Sequence, residues 1–178
     1  MKKTISLFLL LCLILTGCGK ETPAETTVPV AETTTATEST AVSYPVPSET
    51  EMPGNDSDVD WGLTLTAESV KRAGCTIRYT QSGGNPTGEL QTGAYFSVEV
   101  YDGEWKPATN LHTDEEIAWN SLAYLITMNG ETELVEDWSF LHGPLLPGWY
   151  RIGKEIMDFR GPGDYDKAIF YAYFEIKK

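Results

Sequence analysis

The sequence predicts an all-β fold, with a β-sandwich of seven or eight short strands over residues 59–178. Segments in which apolar and polar side chains alternate recur along this part of the chain, and that alternation is the period of a strand. Turn residues such as Asp102-Gly103 and Asn129-Gly130 separate the segments. No stretch of the domain keeps a sustained 3.6-residue apolar period with helix caps. Together these three observations favour two packed antiparallel sheets.

The strands are predicted in chain order from the apolar side chains that alternate within them. The first three strands are marked by Leu63 and Leu65, by Cys75, Ile77 and Tyr79, and by Phe96, Val98 and Val100. Later strands are predicted within residues 117–128, 134–138, 149–156 and 167–176. We expect the glycine- and proline-rich stretches between strands to be loops or turns.

Residues 146–150, with the sequence Leu-Pro-Gly-Trp-Tyr, resemble the tyrosine corner of immunoglobulin-like (Ig-like) domains. In that corner a tyrosine at the start of the sixth strand, here Tyr150, bonds back to the backbone upstream. Antibody domains carry a cysteine two residues later, which pairs with a cysteine on the second strand. Because Ile152 stands at that position, Cys75 on the predicted second strand lacks this partner.

Four longer motifs resemble a bacterial Ig-like domain over nearly all of residues 59–178. These motifs are GLTLTAESV, TQSGGNPTGELQTG, PGWYRIGKEIMDFRGPGDYD and FYAYFEI. Domains of this family recur in secreted and lipid-anchored proteins of Gram-positive bacteria. The resemblance implies an Ig-like sandwich at the cell surface, and the family offers no established catalytic residues to transfer.

The N-terminal residues have the order of a secretory signal. Two lysines precede an apolar run over residues 5–15, which is too short to span about 30 Å of hydrocarbon. Leu15-Thr16-Gly17-Cys18 then resembles the lipobox of bacterial lipoproteins. This resemblance implies that residues 1–17 are a signal peptide, and that Cys18 receives a diacylglycerol on its thiol and becomes the new N-terminus. The expected location is the extracellular face of the cell membrane, with the membrane as a partner through the lipid.

Residues 18–58 are expected to be the lipidated cysteine followed by a disordered tether. From residue 19 the composition is rich in threonine, glutamate, proline and alanine, with eight acids, one lysine and five prolines. Such a segment cannot bury enough apolar surface to offset the entropy lost on ordering. The predicted tether is therefore a semi-stiff spacer between the membrane and the domain.

The net charge of the chain and its three cysteines exclude several classes of function. The formal net charge is −13 at pH 7, which repels nucleic acid, so we expect no nucleic-acid partner. Cys12 leaves with the signal peptide and Cys18 carries lipid, which leaves Cys75 alone. The mature chain therefore cannot form an intramolecular disulfide, and its domain must be held together by an apolar core.

The sequence lacks the patterns expected of an enzyme or of a cofactor site. It contains no G-x-S-x-G elbow, H-E-x-x-H helix or phosphate-binding lysine loop. Cys75 alternates with apolar residues and is interpreted as a small core residue rather than a nucleophile. His112 lies beside three acids in residues 112–116, which leaves a metal site open, although a solvated acidic loop is the favoured interpretation. We expect no catalysis, no cofactor and no metal.

Strand parity predicts an aromatic contact surface. Because successive side chains of a strand point to opposite faces, the residues between core positions point outward. An Ig-like sandwich places the third, sixth and last predicted strands in one sheet, so their outward residues should be neighbours. The predicted contact residues are Tyr95, Glu99, Tyr101, Trp149, Arg151, Tyr171 and Tyr173. Exposed aromatic side chains are common at interfaces, although they are also simply good strand formers.

The predicted function is that of a lipid-anchored surface protein whose single Ig-like domain binds a partner or scaffolds the envelope. The partner would be an unidentified protein or an envelope polymer. Two alternatives stay open. One is a secreted enzyme inhibitor or sensor module that acts through a loop at residues 158–166, and the other is a small glycan hydrolase with two paired carboxylates.

Overall fold

A computed structural model describes residues 43–178, and this part of the chain consists largely of strands. The strands are β1 (Leu63–Lys71), β2 (Gly74–Gln81), β3 (Glu89–Thr92), β4 (Ser97–Tyr101), β5 (Trp105–Pro107), β6 (Tyr124–Leu125), β7 (Gly130–Asp137), β8 (Gly148–Gly161) and β9 (Asp164–Ile176). The helical elements of the same residues are α1 (Ser139–His142) and two 3-10 turns, at Glu49–Glu51 and Asp114–Glu116. None of them has the length and apolar character needed to cross a membrane. The predicted all-β class is confirmed, with nine strands where seven or eight were expected.

The strands form two antiparallel sheets that pack against each other. The smaller sheet has the order β1-β2-β7. In the larger sheet β8 is central: β9 pairs along its whole length on one side, while β4 and then β3 share the other side. The strands β5 and β6 extend this sheet beyond β4 and β3. As a result, β8 has β4 and β9 as its two neighbours along its first half.

Side chains from both sheets fill the core. From the smaller sheet, Ile77 and Tyr79 are fully buried, and from the larger sheet Ile152 and Phe170 are buried in the same cluster. The Tyr150 hydroxyl donates a 2.9 Å hydrogen bond to the carbonyl of Leu146, four residues upstream. The predicted tyrosine corner is therefore confirmed.

The strand predicted over residues 117–128 is wrong for most of its length. Only β6 pairs, and residues 117–123 run as an irregular loop. Leu122 and Leu125 are 60% and 59% exposed, so these apolar residues do not enter the core. The Asn120 side chain accepts a 3.1 Å hydrogen bond from the Leu122 amide, a local turn that competes with strand pairing.

Residues 158–166, predicted as a loop that could engage an enzyme, form the tip of the β8–β9 hairpin. The turn itself is short, and Gly163 takes a φ of +79°, which glycine adopts without strain. Asp158 is 1% exposed, and its carboxylate accepts hydrogen bonds of 2.8 and 2.6 Å from the backbone amides of residues 87–88. The loop is therefore shorter than predicted, since only residues 162–163 lie between the two strands, and a buried carboxylate ties the hairpin to the chain before β3.

The last portion of the predicted tether packs on the domain. Residues 44–56, which we name the docked segment, lie on the larger sheet and along β9. The expected disorder up to residue 58 is wrong for this portion. Its contacts are polar hydrogen bonds, so an apolar composition was not needed for docking. Residues 1–42, which include the predicted signal peptide, Cys18 and the rest of the tether, lie outside the described residues.

Candidate binding surface

The outer face of the larger sheet carries side chains from β4, β8 and β9, as strand parity predicts. On β8, Tyr150 and Ile152 are buried, and Arg151 between them points away from the core. The strand register places Glu99 of β4, Arg151 of β8 and Tyr173 of β9 side by side. The predicted orientation is thus found in the structure, while the role of these residues in binding stays a prediction.

Arg151 is the centre of this outer face. Its guanidinium group forms an ion pair with Glu99 and lies 4.1 Å from the ring centre of Tyr171. It also lies 4.9 Å from the ring centre of Trp105, and that ring is 5.4 Å from the ring of Tyr173. Burial acts against the charge, but hydrogen bonds with Glu99 and Tyr173 raise the pKa of Arg151. We name this cluster the aromatic face: Glu99, Tyr101, Trp105, Arg151, Tyr171 and Tyr173.

Three ring donors of the aromatic face are used by the docked segment. The Tyr101 hydroxyl donates a 2.5 Å hydrogen bond to the Glu51 carboxylate, and the Trp105 indole N–H donates one of 2.6 Å to the Glu51 carbonyl. The Tyr173 hydroxyl donates a 2.8 Å bond to the carbonyl of Pro53. Hydrogen bonds from Ser48 and Tyr101 lower the pKa of Glu51 to about 2, so it is charged at neutral pH.

The docked segment also pairs with the outer edge of β9. The Tyr171 amide donates a 2.9 Å hydrogen bond to the Gly54 carbonyl, and the Asp56 amide donates one of 2.9 Å to the Ile169 carbonyl. The Asp56 side chain accepts a further 2.8 Å bond from the Ile169 amide. These bonds make an antiparallel bridge that covers a portion of an otherwise open sheet edge.

The prediction that Tyr101 is exposed is wrong. Its side chain has the outward parity of Glu99, but it is only 8% exposed. Trp105, with its ring centre 5.1 Å away, and Glu51 cover it from outside. The direction of the Tyr101 side chain follows from strand parity, but its burial depends on a segment about fifty residues away in sequence. Trp149 also points outward, opposite Glu175, and is half-buried.

Tyr95 belongs to a different surface. It precedes β4, is 53% exposed, and meets Trp119 edge-to-face at 5.3 Å between ring centres. Both rings line a groove of about 460 Å³ that also contains Asp114 and His142. Trp119 was not predicted as a site residue, because its stretch was predicted as a strand. Its neighbours Ile117, Ala118 and Leu122 are apolar, so the local sequence carries no signal that distinguishes it.

The acidic loop at residues 112–116 brings only two of its possible metal ligands near each other. The His112 ring nitrogen lies 3.9 Å from the Glu116 carboxylate, and its ring stacks on Phe140 at 4.1 Å between centres. Among residues 43–178, no three histidine, cysteine or acidic side chains converge as a metal site would require. The aromatic stacking of His112 instead packs the loop on α1.

Comparison with known families identifies the domain. A family model described as a bacterial Ig-like domain matches residues 57–175. The chain belongs to this family. The bacterial Ig-like domain begins just after the docked segment, so residues 44–56 lie outside the matched region. Comparison with curated proteins and with solved structures gave no match. Membership indicates a surface module that binds or scaffolds, and such domains are typically non-catalytic.

The two sheets of this bacterial Ig-like domain are joined by an ion pair instead of a disulfide. Lys154 of β8 points into the core, is 0% exposed, and lies 2.8 Å from the Glu136 carboxylate of β7. Its ammonium group also donates a 2.9 Å bond to the Gly93 carbonyl. Burial lowers the pKa of Lys154 and raises the pKa of Glu136, and each partner's charge opposes that shift. Glu136 lies opposite Cys75 in the strand register.

Proposed function

We propose that the chain is a lipid-anchored surface protein whose Ig-like domain acts as a binding or scaffolding module outside the cell membrane. The family match supports a surface module. Leu15-Thr16-Gly17-Cys18 supports attachment through a diacylglycerol on Cys18. The partner would be a protein or polymer of the envelope.

One observation carries the scaffolding aspect of this proposal. The docked segment is where a stalk coming from Cys18 reaches the domain, and its hydrogen bonds to Tyr101, Trp105 and Tyr173 hold that point on the aromatic face. Docking therefore fixes the point at which the stalk leaves the domain. With residues 44–56 bound, residues 19–43 are left as the proposed spacer, and they would span about 75 Å if extended as polyproline II.

The lipid anchor is tested by replacing the cysteine that would carry it. In cells fed a clickable fatty acid, the Cys18→Ser chain should take up no label, because serine lacks the thiol, and should accumulate as uncleaved precursor or shed protein. Labelling and membrane fractionation measure both effects. Cys12→Ala is the matched control, since it also removes an N-terminal cysteine but should be labelled and retained normally. A Cys18→Ser chain that is labelled and retained like wild type would contradict the proposal.

A further inference from the structure

We propose that the aromatic face and the outer edge of β9 together form a peptide-recognition site, which the docked segment fills as an internal ligand. The external ligand would be an extended acidic peptide with carboxylates at the positions of Glu51 and Asp56, which accept hydrogen bonds from the Tyr101 hydroxyl and the Ile169 amide. This inference rests on the proposed function of a binding module and names the class of partner that the module takes.

Backbone pairing supplies the component of the site that does not depend on sequence. At the edge of β9, the Tyr171 amide and the Ile169 carbonyl face outward and are used by Gly54 and Asp56, each over 2.9 Å. Addition of an extended peptide to an open sheet edge is a general mode of peptide recognition. Any extended chain of the right direction can form these bonds, so they provide affinity with little selectivity.

Of the three side-chain donors of the aromatic face, the Tyr101 hydroxyl supplies selectivity, because it alone bonds to a side chain of the segment. The hydroxyls of Tyr101 and Tyr173 and the indole N–H of Trp105 all point to acceptors on one short stretch of the segment. One acceptor is the Glu51 carboxylate, so a neutral residue there would lose a charge-assisted hydrogen bond. Arg151 lies against the Trp105 and Tyr171 rings and holds them in place from within the same face.

The docked segment is held mainly at its surface, so it can exchange. Pro47 is the one buried residue among positions 44–56, and Val46 is 65% exposed. A segment with few buried apolar contacts and an exposed backbone belongs to the least stable region of a fold. The family match starts at residue 57, so the residues that make up the sandwich do not include the docked segment.

Fluorescence anisotropy with a labelled peptide of residues 43–58 tests the site. The protein is residues 18–178 with Cys18→Ser, expressed without residues 1–17, and it is compared with the same chain lacking residues 44–56. The deletion variant should bind the peptide saturably. The chain that retains its segment should bind at least about tenfold more weakly, because a tethered competitor acts at a high effective concentration.

Matched variants test which contacts carry the binding. In the deletion variant, Trp105→Phe and Tyr173→Phe each keep a ring and remove one donor, and each should weaken binding about fivefold. A Glu51→Gln peptide should also bind more weakly, and a scrambled peptide more weakly still, because it loses the contacts of both the Glu51 and Asp56 carboxylates. Equal binding of the scrambled peptide, or no binding by a folded deletion variant, would overturn the proposal.

A cleavable chain covers the case in which the deletion variant does not fold. A protease site placed between Asp58 and Val59 of the full chain allows the segment to be cut free after folding. Labelled peptide in excess should then replace the cut segment. If no peptide enters the cleaved, folded chain, the exchangeable site is excluded. None of these readouts depends on membrane attachment, so they can fail while the Cys18 test succeeds.

Discussion

At the scale of the residue, the most consequential side chain is Lys154, a charged group in the middle of an apolar core. Its 2.8 Å contact with Glu136 crosses from one sheet to the other. Removing two charges from water costs several kcal/mol per ion, and the attraction between the partners only partly offsets that cost. The intact pair therefore adds little to the free energy of unfolding, but removing one partner lowers that free energy strongly.

Single and double replacements of the pair should behave very differently. Lys154→Met alone should destabilise the domain by about 3–5 kcal/mol, because it leaves the Glu136 carboxylate buried without a partner. Lys154→Met with Glu136→Leu should be neutral or stabilising by comparison with wild type. Urea denaturation measures both. A double variant that is as unstable as the single one would show that the pair stabilises the fold in its own right.

The pH dependence of the single variant follows from the same geometry. Burial raises the pKa of Glu136 in the folded state, and Lys154→Met removes the positive charge that opposes this rise. A raised folded-state pKa means that the folded state takes up the proton first. The free energy of unfolding therefore decreases as the pH rises through that pKa, and it increases again on acidification. Relative to wild type, the unfolding free energy of Lys154→Met should therefore increase as the pH falls from 7 towards 5.

Cys75 should be inert in the folded domain. It is 4% exposed, and burial, with a smaller effect of Glu136, raises the pKa of its thiol to about 12. Since the thiolate is the reactive form, a maleimide or disulfide reagent at pH 8 should label it only after unfolding. Glu133→Cys on the exposed side of β7 is the control and should react at once. Fast labelling of native Cys75 would contradict its core position.

At the scale of the element, the docked segment pairs with β9 through one isolated antiparallel bridge and is held in place mainly by polar contacts. The free edge of a sheet is open to pairing with other chains, and this segment covers a portion of the β9 edge. It pairs beside Phe170 in the buried stretch of β9, and Trp61 stacks on the same ring at 5.7 Å between centres. The segment and the start of the sandwich therefore share one anchoring point.

Deletion of the docked segment should have a small but measurable effect. Removing residues 44–56 should lower the thermal midpoint by a few degrees, because about 1 kcal/mol corresponds to roughly 2–8 °C in domains of this size. Deleting residues 21–42 is the matched control. It removes a threonine- and glutamate-rich stretch and leaves the docked segment in place, so we expect no change. Calorimetry on residues 18–178 with Cys18→Ser compares the two deletions, and equal midpoints would show that docking contributes no stability.

At the scale of the whole molecule, alternation of apolar and polar residues was enough to predict the two sheets and the inward side chains. It worked on β2, β4, β8 and β9, because the core takes every second residue there. The same alternation through Ile152, Lys154 and Ile156 also placed a lysine inside, a signal that the sequence analysis did not use. Hydrophobicity argues against a buried lysine, and only its partner on β7 explains it.

The candidate site was less predictable than the fold. Direction of the side chains on the aromatic face followed from parity, but exposure did not, because Glu51 reaches Tyr101 from a distant region of the chain through one hydrogen bond. Trp105, whose ring contacts both Arg151 and Tyr173, was not predicted, since it lies just after a tight turn and outside the strand to which parity was applied. Non-local polar contacts of this kind leave no periodic pattern in a sequence.

The position of the docked segment also determines how the molecule responds to mechanical load. In a chain held at Cys18 and pulled through a bound partner, tension enters the domain at residue 44 and first loads the Tyr44 contact with Glu175 and then the bonds of Glu51. These few bonds can break in succession while the sandwich stays folded.

Release of the docked segment adds about 40 Å of chain at roughly 3.3 Å per residue. Single-molecule pulling should therefore show a small extension of that size before the domain unfolds, and none without residues 44–56. Release of the segment would therefore lengthen the chain under load before the core begins to unfold.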